Sequence, residues 1–193
     1  MSNPLNVPLR EKNIMLIGFM GVGKTSIGHH LASKLYRDFV DVDQEIEKQH
    51  AMPITEIFKA MGEQQFRAME KDYIVDLCHN TRLKIVSLGG GAFLQEEIRQ
   101  ACLSTSIVLF LELGWESWKK RLHLIVDSRP VLQHKSMEEI EQLFQFRQQI
   151  YELNHSSVNT EQLNAEEAAC YIIETLKFGW DMYDPPRATL PLE

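Results

Sequence analysis

Apolar and polar positions alternate in blocks from residue 13 onward. Residues 13–17, Asn-Ile-Met-Leu-Ile, form a nearly continuous apolar run that ends at a glycine, the pattern of a strand buried on both faces. Between 24 and 35 the apolar residues Ile27, Leu31 and Leu35 recur at helical spacing. Residues 39–42 predict a second strand, and 44–50 and 54–80 read as helix, broken near Pro53 and Gly62. A third strand over 84–88 runs into Gly89-Gly90-Gly91. A helix near 95–102, the most apolar strand at 107–111 and helices over 115–122 and 136–154 follow. A weak strand at 156–159 precedes a last helix over 165–177. Five strands with helical crossovers predict an α/β fold: a parallel sheet in a three-layer α/β/α arrangement.

Composition narrows the picture. The 193 residues are 44% hydrophobic, enough for a substantial core, and no linker-like stretch interrupts 13–177. The expected division is an N-terminal extension (1–12), a single domain (13–177) and a mobile C-terminal tail (178–193). A formal charge of −7 argues against a nucleic-acid partner, whose footprint would be basic. Cys78, Cys102 and Cys170 lack a CxxC and read as reduced thiols. Residues 1–13 are polar, without a signal-type apolar core, and no apolar run approaches the roughly 20 residues that span a bilayer. The expectation is a soluble cytoplasmic monomer. The seven histidines show no metal-ligand spacing, and Phe66, Phe144 and Phe146 read as core.

The strongest chemical signal is Gly18-Phe-Met-Gly-Val-Gly-Lys24-Thr25, which matches G-x-x-x-x-G-K-[ST] between a strand and a helix. Glycines let the backbone wrap phosphate, and the helix N-terminus adds its positive end. Gly21, Val22, Gly23, Lys24, Thr25 and Ser26 are therefore expected to hold the phosphates of a nucleoside triphosphate. Lys24 would reach the β- and γ-phosphates and Thr25 would ligate Mg²⁺. No N-K-x-D-type base-recognition motif accompanies the loop.

Other positions are candidates for an acceptor site. Asp41 and Asp43 flank Val42 at the end of the second strand, where residues i and i+2 share a face, so both carboxylates are expected to look into one crevice. They could equally be a solvated strand-end pair, or Asp43 a helix cap. Gly89-Gly90-Gly91 serves either backbone contact with a substrate or a tight turn. Arg67 lies at helical spacing from Glu63 and Glu70, and Arg147 reads equally well as a solvated helix residue. Arg129, in a Ser-Arg-Pro stretch, has the setting of a lid arginine. Each arginine taken singly reads better as structural.

Taken together, these pieces resemble the shikimate kinase family. Its markers run in order along nearly the whole chain: the phosphate loop, Asp-Val-Asp at 41–43, and I-T-E-I-F with G-E-Q-Q-F-R within 54–67. They continue with S-L-G-G-G-A at 87–92, R-P-V-L at 129–132 and R-Q-Q-I-Y at 147–151. The resemblance implies a P-loop kinase with strand order 2-3-1-4-5 and a lid at about 122–135, moving the γ-phosphate of ATP onto the 3-hydroxyl of shikimate with Mg²⁺. It assigns Asp43 to the shikimate hydroxyls and to catalysis, and Asp41 to the metal through water. Arg67, Arg147 and the backbone of Gly89, Gly90 and Gly91 would hold the carboxylate side. Arg129 would be the lid arginine, Arg121 would lie against adenine, and Ser87 would meet the waters of the metal. A planar carboxylate favours arginine over lysine at the two binding positions. Two rival readings are a kinase of the same build for another hydroxy acid such as gluconate, and a nucleotide-binding module without transfer activity.

Overall fold

The computed structural model describes residues 7–122, 132 and 135–183. Its elements in chain order are β1 (Ile14–Ile17), α1 (Lys24–Leu35), β2 (Asp38–Asp41), α2 (Val42–His50), α3 (Ile54–Asn80), β3 (Lys84–Ser87), α4 (Glu96–Thr105), β4 (Ile107–Glu112), α5 (Trp115–Lys119), α6 (Met137–Tyr151), β5 (Ser156–Asn159) and α7 (Ala165–Tyr183). Short 3-10 turns occur at Leu9–Glu11 and Ala92–Leu94.

The five strands form one sheet in the order β2-β3-β1-β4-β5, and every neighbouring pair is parallel. The chain steps one way along the sheet from β1 to β2 and the other way at every later crossover. Right-handed connections therefore put α1 on one face and α3 and α4 on the other. Helix α7 packs beside α1, and α3 beside α4. The central strand β1 is buried along its full length, and β4 is apolar from Ile107 to Leu111, as strands covered on both faces must be. The edge strands β2 and β5 are partly exposed and carry Asp38, Ser157 and Asn159.

Two local features shape the ligand end of the sheet. Gly62 breaks α3 with φ +82° and ψ 164°, torsions that an L side chain would strain. The helix bends there, so Ile54 and Phe58 before the break and Phe66 and Arg67 after it surround one pocket. Helix α6 opens with a capping box in which Ser136 and Glu139 satisfy each other's backbone N–H groups.

Several boundaries differ from expectation. The helix expected over 115–122 ends at Lys119. Phe146 is exposed rather than core, whereas Phe66 and Phe144 are buried. Helix α7 continues to Tyr183, so residues 178–183 are not part of an irregular tail. A non-local anchor accounts for this: the Arg37 guanidinium lies 5.5 Å from the Trp180 ring and donates to the carbonyls of Arg10 and Lys12, while Arg10 donates to the Trp180 carbonyl. Residues 1–6 and 184–193, and most of the expected lid, lie outside the described residues.

The thiols of Cys78 and Cys102 are free, buried and 3.7 Å apart, and Cys170 is exposed. The hydrogen bond with Cys78, and then burial, pushes the Cys102 thiol up. His29 packs on the Phe39 ring at 4.1 Å. Among the described residues no helix is long and apolar enough to cross a membrane.

The α1–sheet contact is tight. A Cβ on Gly28 would lie 2.3 Å from a Phe39 ring carbon and 3.2 Å from Leu16 Cδ1. Gly28→Val should cost about 1–3 kcal/mol through overpacking, read as a drop of several degrees in the calorimetric melting midpoint. An unchanged midpoint would contradict this packing.

Candidate active site

The loop from Gly18 to Gly23 leaves the carboxyl end of the central strand and opens α1, with Gly23 in the left-handed region at φ +105°. Lys24 is buried, and its ammonium donates to the carbonyls of Gly18 (2.8 Å) and Phe19 (3.0 Å) inside the curve of the loop. A cavity of about 260 Å³ sits over the loop. It is lined by Gly21, Gly23, Lys24, Thr25 and Ser26, by Asp41 and Asp43, and by Ser87 through Gly90. Val22 is buried and its carbonyl accepts from Arg121 Nη1 at 3.3 Å, which brings Arg121 onto the back of the loop.

Asp41 and Asp43 both line this cavity, but not as residues of one strand face. Strand β2 ends at Asp41, and α2 begins at Val42. Asp41 is the N-cap: its Oδ1 accepts from the Gln44 N–H (3.4 Å) and its Oδ2 accepts from the Thr25 hydroxyl (2.7 Å). Asp43 sits in the first turn of α2, where a carboxylate also suits the positive end of the helix. The expectation that i and i+2 share a strand face fails because the cap starts the helix earlier than the apolar pattern does.

The three glycines after β3 are explained by close approach rather than by unusual torsions. A Cβ on Gly89 would meet Asp43 Oδ1 at 2.7 Å and Glu70 Oε1 at 2.8 Å. One on Gly91 would meet Arg67 Nη2 at 2.6 Å, and one on Gly90 the Met20 nitrogen at 3.2 Å. Any larger residue would occupy the space of a charged group or of the phosphate loop itself.

Beside them lies a second pocket, lined by Ile54, Phe58 and Phe66 and by Arg67, Glu70 and Arg147. Asp43, Met20, Gly89 and Gly90 line both pockets. Arg147 is not a solvated helix residue: it is 4% exposed, donates from Nη1 to the Gly90 carbonyl (3.0 Å) and lies 5.5 Å from the Phe19 ring. Burial lowers its pKa, and a cation–π contact of this kind offsets part of the desolvation, by about 1–2 kcal/mol. Its Nε has no hydrogen-bond partner among the described residues.

Arg67 makes the helical ion pairs expected from its spacing, to Glu70 at 2.7 Å and to Glu63 at 3.3 Å, while also lining the pocket. Burial opposes its charge, but the two carboxylates outweigh burial and hold its pKa above the ordinary value. Glu70 bears the desolvation: burial raises its pKa against the pull of Arg67, and Asp43 adds to the rise. Its Oε2 also accepts from Gln95, and its buried Oε1 has no partner among the described residues. Sequence reasoning treated Glu70 only as a possible surface partner of Arg67. The one available signal was its i+3 spacing, which says nothing about burial. Arg129 lies outside the described residues.

Five parallel strands in this order, with a lysine-bearing phosphate loop leaving the central strand, define a P-loop kinase fold. The family model for shikimate kinase matches residues 20–177. A shikimate kinase of Bacillus pumilus is 60% identical over 177 residues, covering 92% of this chain and 96% of its own. One of Geobacillus kaustophilus is 60% identical over 188 residues, covering 97% and 100%. Among solved structures, the shikimate kinase from Acinetobacter baumannii in complex with shikimate superimposes with a TM-score of 0.81 at 33% identity, covering 87% of this chain and 94% of that one. The Aquifex aeolicus shikimate kinase gives 0.77 at 31%, covering 86% and 97%. The chain belongs to the shikimate kinase family.

The direction of the Glu70 shift gives a signed prediction. A carboxyl with a raised folded-state pKa stabilises the fold fully below its unfolded pKa, and that contribution is lost as pH rises through the folded value. Glu70→Gln, which stays neutral, should therefore gain in melting temperature relative to wild type between about pH 4 and about pH 7. A difference in favour of Gln that grows toward acid would contradict the assignment.

Proposed function

We propose that this chain transfers the γ-phosphate of ATP to the 3-hydroxyl of shikimate, with Mg²⁺, in the continuous crevice formed by the two pockets. The observation that carries the reading is that Asp43, Gly89 and Gly90 line both the phosphate-loop cavity and the pocket of Arg67 and Arg147. A donor phosphate held on the loop and an acid held by the arginines would thus meet at Asp43. Family membership supports both substrates.

On this reading the backbone from Gly21 to Gly23, the Lys24 ammonium and the Thr25 and Ser26 positions hold the β- and γ-phosphates. Arg121, already on the Val22 carbonyl, reaches the base. Arg67 and Arg147 hold the carboxylate of the acceptor, with the backbone of Gly89 to Gly91 beside it. Asp43 accepts a hydrogen bond from the reacting hydroxyl and takes its proton as the oxygen bonds to phosphorus and ADP leaves. Lys24 and the lid arginine, Arg129, offset charge on the transferring group.

The residues present fit a magnesium ion. Thr25 and Asp41 bring two oxygens, the donor type this hard cation takes, to one point beside the loop. Among the described residues no group of three or more His, Cys, Asp or Glu could hold a metal alone, which suits an ion shared with nucleotide phosphates and water. When bound, the ion supplies charge neutralisation at the phosphates.

Coupled measurement of ADP release should show turnover that requires shikimate and is not supported by gluconate. Turnover with gluconate but not shikimate would favour a related hydroxy-acid kinase, and none with either would favour a binding module. Arg67→Ala or Arg147→Ala should each remove a charge-assisted contact of about 1.5–3 kcal/mol, seen as a KM for shikimate at least roughly tenfold higher. An unchanged KM in both would refute the acceptor assignment. Lys24→Ala should instead lower kcat by orders of magnitude, as the loss of transition-state charge stabilisation does.

A further inference from the structure

Tyr151 is the last residue of α6 and is 1% exposed. It stands four residues after Arg147, so the two side chains rise from the same face of the helix. Both end on the same atom: the Gly90 carbonyl accepts from the Tyr151 hydroxyl and from Arg147 Nη1. A carbonyl oxygen has two lone pairs, and here one goes to each donor. Burial pushes the phenol up to about 12, so it stays a neutral donor throughout the working range of a cytoplasm-like pH. Its ring is held by Phe110 of β4, 5.4 Å away.

The middle glycine is thus fixed from two sides. A Cβ on Gly90 would sit 3.2 Å from the Met20 nitrogen, so the phosphate loop closes off the side where a side chain would stand. On its other side, the carbonyl is drawn toward α6. Because a trans peptide points its C=O and N–H in opposite directions, this turns the Gly91 N–H away from α6. Arg147 has a competing task. A guanidinium has five N–H donors, so with one on the Gly90 carbonyl the others remain for a carboxylate, its buried Nε having no partner among the described residues, and the Tyr151 bond keeps that carbonyl held if the guanidinium turns toward a substrate.

We propose that Tyr151 is a positioning residue for the acceptor carboxylate: it holds the Gly90 carbonyl so that Arg147 can engage the substrate without releasing the glycine segment. The inference rests on the shikimate kinase reading above and deepens it by naming what sets the geometry of the carboxylate cradle. Tyr151 touches no reacting atom. Its effect belongs to acceptor binding and should leave the nucleotide side alone.

The test is steady-state kinetics of Tyr151→Phe, which keeps the ring against Phe110 and removes only the hydroxyl, with shikimate and with its methyl ester as acceptors. The KM for shikimate should rise about tenfold, the scale of one hydrogen bond to a charged assembly, while the KM for ATP stays within about twofold and kcat within about threefold. The preference of wild type for shikimate over the uncharged ester should narrow by a similar factor, which a loss of general stability would not produce. Two results would overturn the inference: a wild-type KM for shikimate, or a parallel rise in both substrate KM values with an unchanged acid-to-ester ratio. Should the variant fail to fold, Tyr151→Met, a flexible apolar side chain that also lacks the hydroxyl, takes its place, and the same acid-to-ester ratio decides. A wild-type enzyme without shikimate-dependent turnover would overturn the kinase reading and this inference with it.

Discussion

The structure depends on a single alignment, the parallel pairing of β1 with β3. The register sets Leu16 beside Ser87, and the Leu88 N–H then reaches the Leu16 carbonyl at 3.1 Å, one step beyond the paired residues. This puts the loop after β1 and the glycines after β3 side by side at the carboxyl edge of the sheet. Both segments must be nearly bare of side chains for the alignment to hold. The phosphate loop needs its backbone free, and the glycines leave room for Asp43, Arg67 and Met20. Parallel sheets bind ligands where loops from adjacent strands open a crevice at this edge, and the two pockets lie there.

The surrounding charges are then arranged around one compromise. Arg67, Glu70, Arg147 and Asp43 crowd a small region, and four charged groups in such a place would be costly if left to themselves. The cost is distributed unevenly. Arg67 is kept charged by two carboxylates, Glu70 takes the desolvation, and Arg147 relies on a carbonyl and an aromatic face. The two arginines are thus held in place by protein groups, the kind of fixed arrangement that electrostatic preorganisation requires. Phe19 extends the link: it belongs to the phosphate loop, yet its ring supports Arg147 and packs on Trp118, whose indole N–H holds the Met20 carbonyl.

Much of this was legible in the sequence where the signal is local. The phosphate loop is a fixed spacing between a strand and a helix, and the strands β1 and β4 are apolar runs of the kind that is covered on both faces. The break at Gly62 and the start of α6 at Ser136 follow from single-residue torsions and caps. What could not be read depends on partners far along the chain. Asp41 was placed with Asp43 on a strand because the cap that ends β2 uses a side-chain bond to Gln44, not an apolar pattern. Arg147 looked solvated because the Gly90 carbonyl that buries it lies 57 residues away. Tyr151 entered only as the last residue of the R-Q-Q-I-Y marker, with no role attached, for the same reason. Helix α7 outran its apolar period because Arg37 and the N-terminal turn hold Trp180. The triple glycine was ambiguous until the side chains filling its missing volume were known.

The central claim is that one crevice brings a donor phosphate and the 3-hydroxyl of a carboxylate-anchored acceptor together at Asp43. The most direct test is phosphorus and proton NMR of the product formed from ATP, Mg²⁺ and shikimate. The account predicts a single phosphate monoester on the 3-hydroxyl, formed in step with ADP. Release of inorganic phosphate without an ester, or esters scattered over the three hydroxyls, would contradict it.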